Sequence, residues 1–198
     1  MQVFFSDDDY RLYLSLLAQR ARRYALDVWT YCLMPNHVHL IGVPSTERGL
    51  ARPLAEAHQR YAGLVNKRHG WTGHLWQERF NSFPMDEPHL RAAIRYVLLN
   101  PVRAGLVERA TDWPYSSARA HVLGETDPLV NRQPVDERIA DWSRYLGSDE
   151  RDGNQAEALR RHGRIGRPLG SKSFIERLER VTGRRLRPRK AGRRPNWE

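Results

Sequence analysis

The stretch Leu33-Met34-Pro35-Asn36-His37-Val38-His39-Leu40-Ile41-Gly42-Val43 constrains this chain most, because it sets a turn, a strand and two imidazoles within a few residues. Upstream, Leu26 to Leu33 is rich in β-branched and aromatic residues and reads as a strand. Met34-Pro35-Asn36 breaks it, and His37 to Val43 reads as its antiparallel partner. Positions i and i+2 of a strand share a face, so His37 and His39 project together while Val38 and Leu40 turn the other way. Two imidazoles on one face can share a divalent metal, but an isolated pair fits a solvated sheet face better. A third ligand and a nucleophile elsewhere would change that balance.

The helical segments follow from apolar spacing and caps. Ser6-Asp7-Asp8-Asp9 has the form of a capping box and opens a helix expected to reach about Tyr24, with Tyr10, Tyr13, Leu14, Leu17 and Ala21 at intervals of three and four. A second helix is expected from Leu50 to about His69, and a third from Glu87 until Asn100-Pro101 ends it. Between them, His74 to Phe83 alternates well enough to be read as a strand. Trp113 to Ser117 is expected to pack its aromatics on the body. Trp71, Trp76 and Trp113 are candidates for stacking on unpaired bases, with Trp76 and Trp113 read as core.

Beyond His121 the periodicity weakens. Residues 122–153 read as a linker with one amphipathic helix over Val135 to Leu146. Residues 154–198 read as a basic helical extension: a helix over Asn154 to Arg161, a second one capped at Ser173 and stopped at Gly183, and a disordered tail from Arg184 to Trp197. The pair of helices has helix-turn-helix proportions with a long turn, and Gly166-Arg167-Pro168 has the form of a minor-groove hook. A sequence-independent phosphate clamp is the simpler reading.

Charge sharpens that division. The chain of 198 residues carries a net charge of +10, yet residues 151–198 hold 15 Lys/Arg against 5 Asp/Glu, and the remaining 18 of each sign cancel over residues 1–150. A neutral body with a basic appendage points to a polyanionic partner, most simply nucleic acid, and to a body with work of its own. One cysteine, Cys32, excludes an internal disulfide framework and a cysteine-rich zinc site. No apolar run is long enough for a membrane span and no secretory leader is evident, so a cytoplasmic protein without a membrane partner is expected.

A partner for the histidines exists in Tyr96 and Asn100, four apart on the third helix and so on one face. A phenol is a poor nucleophile toward carbonyls but a serviceable one toward phosphodiesters. Two imidazoles with an amide oxygen leave positions open for phosphate on Mg2+ or Mn2+.

Four ordered motifs now resemble one family. They are Met34-Pro35-Asn36-His37-Val38-His39-Leu40, Gly73-His74-Leu75-Trp76-Gln77-Glu78-Arg79-Phe80, the run from Tyr96 to Val107 through Asn100-Pro101, and Trp113-Pro114-Tyr115-Ser116-Ser117. Together they are similar to the REP-associated tyrosine transposases, in the IS200/IS605-like or Y1 branch of the HUH endonucleases, over roughly Phe4 to His121. The resemblance implies an α+β fold, a ferredoxin-like antiparallel sheet with helices on one face, over residues 1–121. It implies metal-dependent cleavage of single-stranded hairpin DNA of the repetitive-palindrome type. His37, His39 and Asn100 would be metal ligands, and Tyr96 the nucleophile of a 5′-phosphotyrosine link that leaves a 3′-OH.

On this reading the protein acts in the bacterial cytoplasm at the nucleoid, as a monomer or homodimer, with no small-molecule substrate. Gln77 and Arg79 on the body, with Arg164, Arg167, Lys172, Arg177, Arg184 and Arg185 on the extension, are the candidate DNA contacts. Members usually begin with a further strand and an Arg-Gly-Asn-like turn, whereas this sequence starts at Met1-Gln2. The expectation is an unpaired sheet edge, through a misassigned start or through decay. The alternative function is therefore a catalytically inactive hairpin-DNA-binding protein that retains the fold.

Overall fold

The computed structural model describes residues 2–147 and 153–187. The chain divides into two compact units, one of Met1–Phe80 with Arg91–Arg151 and one of Asn81–Leu90 with Asp152–Glu198.

The first unit is built on a helix and a hairpin. Helix α1 (Asp7–Arg23) begins with three aspartates and ends with basic residues, as its dipole favours. Strands β1 (Leu26–Met34) and β2 (His37–Pro44) pair antiparallel across the two-residue turn Pro35-Asn36, with Met34 opposite His37 and Cys32 opposite His39. Among the described residues the sheet has these two strands. The opposite edge of β1 is occupied by irregular chain: Leu33 N–H donates to the Tyr115 carbonyl at 2.8 Å and Ser117 N–H to the Tyr31 carbonyl at 3.0 Å. β1 is thus flanked on both sides, and its last five residues are buried.

Helix α2 (Ala51–His69) packs along α1 and closes the core, which includes Phe4, Tyr10, Tyr13, Leu17, Val28, Tyr31, Leu33, Leu54, Tyr61 and Val65. Aromatic contacts dominate it: Phe4 stacks on Tyr10 at 4.5 Å between centroids, and Tyr10 on Tyr115 at 3.8 Å. Val3 and Phe4 donate to the Pro35 carbonyl at 2.9 and 3.2 Å, which ties the N-terminal segment to the turn before the histidines.

The strand expected over His74 to Phe83 does not form; the segment is irregular among the described residues. Leu75 enters the core and the next residue, Trp76, packs against the same core while its Nε1–H donates to the His58 carbonyl at 3.1 Å. Two consecutive side chains on one side are incompatible with strand alternation. Trp76 and Trp113 both pack against the core as expected.

Helix α3 (Glu87–Leu98) is followed by a single turn, α4 (Asn100–Arg103), after a break at Leu99. Pro101 has no N–H to give to the preceding turn, which accounts for the break, but the chain coils again instead of ending there. Residues after Ser117 continue as α5 (Ala118–Leu123), α6 (Gln133–Asp136) and α7 (Trp142–Gly147). The single helix expected over Val135 to Leu146 is therefore two. Asp141 accepts from the Arg144 N–H at 2.9 Å and restarts the helix as its cap. The described part of this stretch, to Gly147, expected as a linker, clusters with the first unit, and Val135 and Ile139 are buried in it.

The second unit contains α8 (Gly153–Ile165) and α9 (Lys172–Thr182). The cap of α9 is Ser171, whose Oγ accepts from Phe174 N–H at 3.2 Å, so the cap lies two residues before the expected Ser173. Gly183 stops the helix in the left-handed conformation, as expected. Arg187 then folds back on Glu179 at 2.6 Å. The remainder of the tail expected to be disordered, from residue 188, lies outside the described residues.

A half-buried histidine beside the core contributes acid sensitivity to the fold. His58 stacks on Trp76 at 4.2 Å, its Nε2 is buried without a partner, and burial pushes its pKa down to about 4. The unfolded chain takes up this proton near pH 6.5 and the folded chain only near 4, so stability is fully present above 6.5 and is lost as pH falls toward 4. We predict that His58→Phe, which keeps the stacking ring, shallows the fall in Tm between pH 7 and 4.5 by several degrees. An unchanged slope by calorimetry would show that other groups carry the acid sensitivity.

Candidate functional site

The sequence brings two histidines to the β2 face that does not carry Val38 and Leu40, both of which pack against the core. His37 and His39 point their Nε2 atoms at each other at 2.8 Å. His37 Nδ1 meets Asn36 Oδ1 at 2.6 Å, so Asn36 holds a proton on Nδ1 and leaves the Nε2 lone pair directed inward. Burial lowers the pKa of His37, and burial together with the neighbouring His37 pushes that of His39 down to about 3. Both rings are therefore neutral at physiological pH, the form in which imidazole is a ligand.

Cys32, opposite His39 in the register, is fully buried, and burial raises its thiol to about 12. It donates to the sulfur of Met34 and fills the core, as expected of a lone thiol.

Helix α3 delivers Tyr96 to the same place. Its ring meets that of His39 edge to face, with centroids 5.5 Å apart at 84°. The Arg103 guanidinium lies 5.1 Å from the Tyr96 centroid, and its Nη1 donates to the Tyr96 carbonyl at 3.0 Å. Asn100 opens α4, one turn after Tyr96, with its Nδ2 buried and without a hydrogen-bond partner. On the far flank of α3, Arg95 is buried and donates through Nε to the Tyr145 carbonyl at 2.8 Å, and Arg91 donates to the Arg138 carbonyl at 2.6 Å. These bonds fix α3 against the 133–147 segment.

Among the described residues no cluster of three or more His, Cys, Asp or Glu could hold a metal. The donor set is two imidazoles, and the sequence adds the Asn100 amide, one turn after Tyr96. It suits a cation that keeps open positions: adjacent ligands of a small octahedral ion at about 2.1 Å are about 3 Å apart, close to the separation of the two Nε2 atoms.

His37, His39, Tyr96 and Asn100 are legible in the sequence as site residues, and Asn36 and Arg103 are not. Asn36 is legible only as a turn residue, although its place beside His37 is a signal. Arg103 stands three after Asn100, on the same helical face. Gln77 and Arg79 are exposed on the irregular segment, and Arg79 forms no ion pair among the described residues. On the second unit Arg164, Arg167, Lys172, Arg177, Arg184 and Arg185 are likewise exposed, Lys172 lying 4.0 Å from Glu176.

The family described as transposase, IS200 like, matches residues 1–99, half of the chain and all of the segment from the histidine hairpin through Tyr96. A candidate REP-associated tyrosine transposase of Haemophilus influenzae is 27% identical over 125 residues, 58% of this chain and 71% of that protein. The REP-associated tyrosine transposase of Escherichia coli K12 is 22% identical over 112 residues, 56% of this chain and 64% of that protein. The chain thus spans about two thirds of the length of these relatives. No solved structure matches it. Among the described residues no helix is long and apolar enough to cross a membrane.

Proposed function

The chain belongs to the IS200-like transposase family, and from that premise we propose that it is an HUH-type strand transferase that cleaves single-stranded hairpin DNA with Tyr96. One observation carries the proposal: the Nε2 atoms of His37 and His39 converge at 2.8 Å beside the ring of Tyr96.

His37 and His39, with Asn100 as the third ligand, would hold Mg2+ or Mn2+. When bound, the cation supplies Lewis-acid polarisation of a non-bridging phosphate oxygen. Tyr96 Oη forms the new bond to phosphorus as the bond to the 3′ oxygen breaks; the phenol loses its proton and the 3′ oxygen leaves as a hydroxyl. The 5′-phosphotyrosine ester conserves the bond energy for religation. Arg103, stacked on the tyrosine ring and bonded to its carbonyl, fixes the nucleophile and places a cation where the phosphate arrives.

The ferredoxin-like sheet of the family is part of the same proposal, with β1 and β2 as two of its strands. So are hairpin DNA of the repetitive-palindrome type as substrate, and a site of action at the nucleoid. Incubation of a labelled single-stranded hairpin with the protein and Mn2+, resolved under denaturing conditions, tests the proposal. It requires an adduct that disappears on chelation; tight binding with no adduct would make the protein a hairpin binder, and free product with no adduct a hydrolase that uses water.

The second unit fits a phosphate clamp. Its exposed Arg164, Arg167, Lys172 and Arg177 lie outside the 1–99 family match. Replacing these four by Gln is expected to weaken DNA binding by at least tenfold near physiological salt. It should also reduce the dependence of log K on log salt by about 0.7 to 0.9 for each phosphate that the protein no longer neutralises. Equal affinity and slope in anisotropy titrations would remove this surface from the interface.

A further inference from the structure

The end of α2 carries a feature outside the His37, His39, Tyr96 and Asn100 group. Trp71 is 47% exposed and Phe5 is 37% exposed. His69 is also exposed, yet the three rings are ordered against one another. His69 stacks on Trp71 at 4.4 Å and 20°, and Phe5 meets Trp71 at 5.4 Å and 75°. The indole is held from its backbone as well: Gly70 caps α2 in the left-handed conformation, and Trp71 N–H donates to the Asn66 carbonyl at 2.9 Å. The result is a fixed aromatic surface half open to water.

Charge and position identify its occupant. In the last turn of α2 Arg68 is paired with Asp9, and Arg11 engages Asp7 and Asp8 after Phe5, while Lys67 is exposed beside His69 and offers its ammonium to an anionic chain that carries aromatic faces. Phe5 follows directly on Val3 and Phe4, whose N–H groups bind the Pro35 carbonyl two residues before His37. The aromatic surface is therefore linked through two backbone hydrogen bonds to the turn that precedes the histidine pair.

We propose that Phe5, His69 and Trp71 form a stacking platform for an unpaired base of the single-stranded DNA that reaches His37 and His39, with Lys67 beside its phosphate. The inference rests on the DNA reading given above. Stacking does not distinguish one base from another, so the platform orders the strand without reading its sequence.

The test is a fluorescence-anisotropy titration of a labelled oligothymidine of about twenty nucleotides, and of a duplex of equal length, with the full chain, Trp71→Ala and Trp71→Phe. Trp71→Ala should weaken oligothymidine binding about tenfold and duplex binding less than about twofold, and Trp71→Phe should lose less than about threefold on the single strand. Wild-type-like binding of oligothymidine by Trp71→Ala overturns the platform and leaves the DNA reading intact, as does an equal loss on both substrates. Failure of the wild-type chain to bind oligothymidine also overturns the platform, while the DNA reading is decided separately by the hairpin adduct.

Discussion

Tyr96→Phe is expected to abolish the covalent DNA adduct, by at least about ten-thousandfold in rate, while leaving hairpin affinity within about threefold and the unfolding temperature unchanged. The substitution removes one oxygen from a half-buried ring and keeps two contacts that place the ring: the edge-to-face meeting with His39 at 5.5 Å and the Arg103 guanidinium at 5.1 Å. Binding should persist because the basic surface of the second unit does not involve Tyr96. Adduct yield on a denaturing gel, anisotropy with the same hairpin and calorimetry of both proteins together check the claim. Cleavage that survives in Tyr96→Phe would transfer the nucleophile's role to water and leave Tyr96 a structural residue.

The largest effect on stability is expected at Asp9, which makes none of the contacts given above for His37, His39 or Tyr96. Asp9 is fully buried; one carboxylate oxygen accepts from Phe5 N–H at 2.8 Å and Ser6 N–H at 3.2 Å, and the other pairs with Arg68 at 2.5 Å. It therefore caps α1, joins α1 to α2 and fixes the segment that binds the Pro35 turn. Asp9→Ala strands two N–H groups and removes the partner of a guanidinium that is itself about half exposed and can regain water. A loss of about 2–4 kcal/mol follows, a large share of a typical folding free energy. In a chain of this size that lowers Tm by roughly 10 °C. Asp9→Asn keeps the acceptor oxygen and should lose about half as much. Calorimetry showing Asp9→Ala within 1 °C of wild type would mean that the cap and ion pair contribute nothing net.

Much of this architecture is legible in the residues themselves. The β1–β2 hairpin is readable because period-two alternation, β-branched content and the Pro35-Asn36 turn all agree, and α1 and α2 because their apolar spacing is bounded by strong caps. The segment from His74 to Phe83 defeats the same logic. Its positions Leu75, Gln77, Arg79 and Asn81 against Trp76, Glu78 and Phe80 leave neither face wholly apolar, and Leu75 and Trp76 are both drawn to the core beside α2, a tertiary demand that no local pattern expresses. The break at Asp141 is of the same kind, since a carboxylate in a helical window can sit on a solvated face or recap the chain.

At the candidate site, His37, His39, Tyr96 and Asn100 are legible through face-sharing on a strand and on a helix. Asn36 and Arg103 are not, because their roles depend on contacts to a ring rather than on spacing. The aromatic platform at Trp71 depends likewise on Phe5, which is distant in sequence from α2 and meets it only when the N-terminal segment binds the Pro35 turn.

The central claim is that Tyr96 becomes joined to the 5′ end of a cleaved strand. Mass spectrometry of the proteolysed adduct, formed with a single-stranded hairpin and Mn2+, tests it most directly. The expected result is a 5′-phosphonucleotide on the peptide containing Tyr96, together with a partner strand that ends in a free 3′-hydroxyl. A nucleotide on any other residue, or cleaved DNA bearing a free 5′-phosphate and no modified peptide, would contradict it.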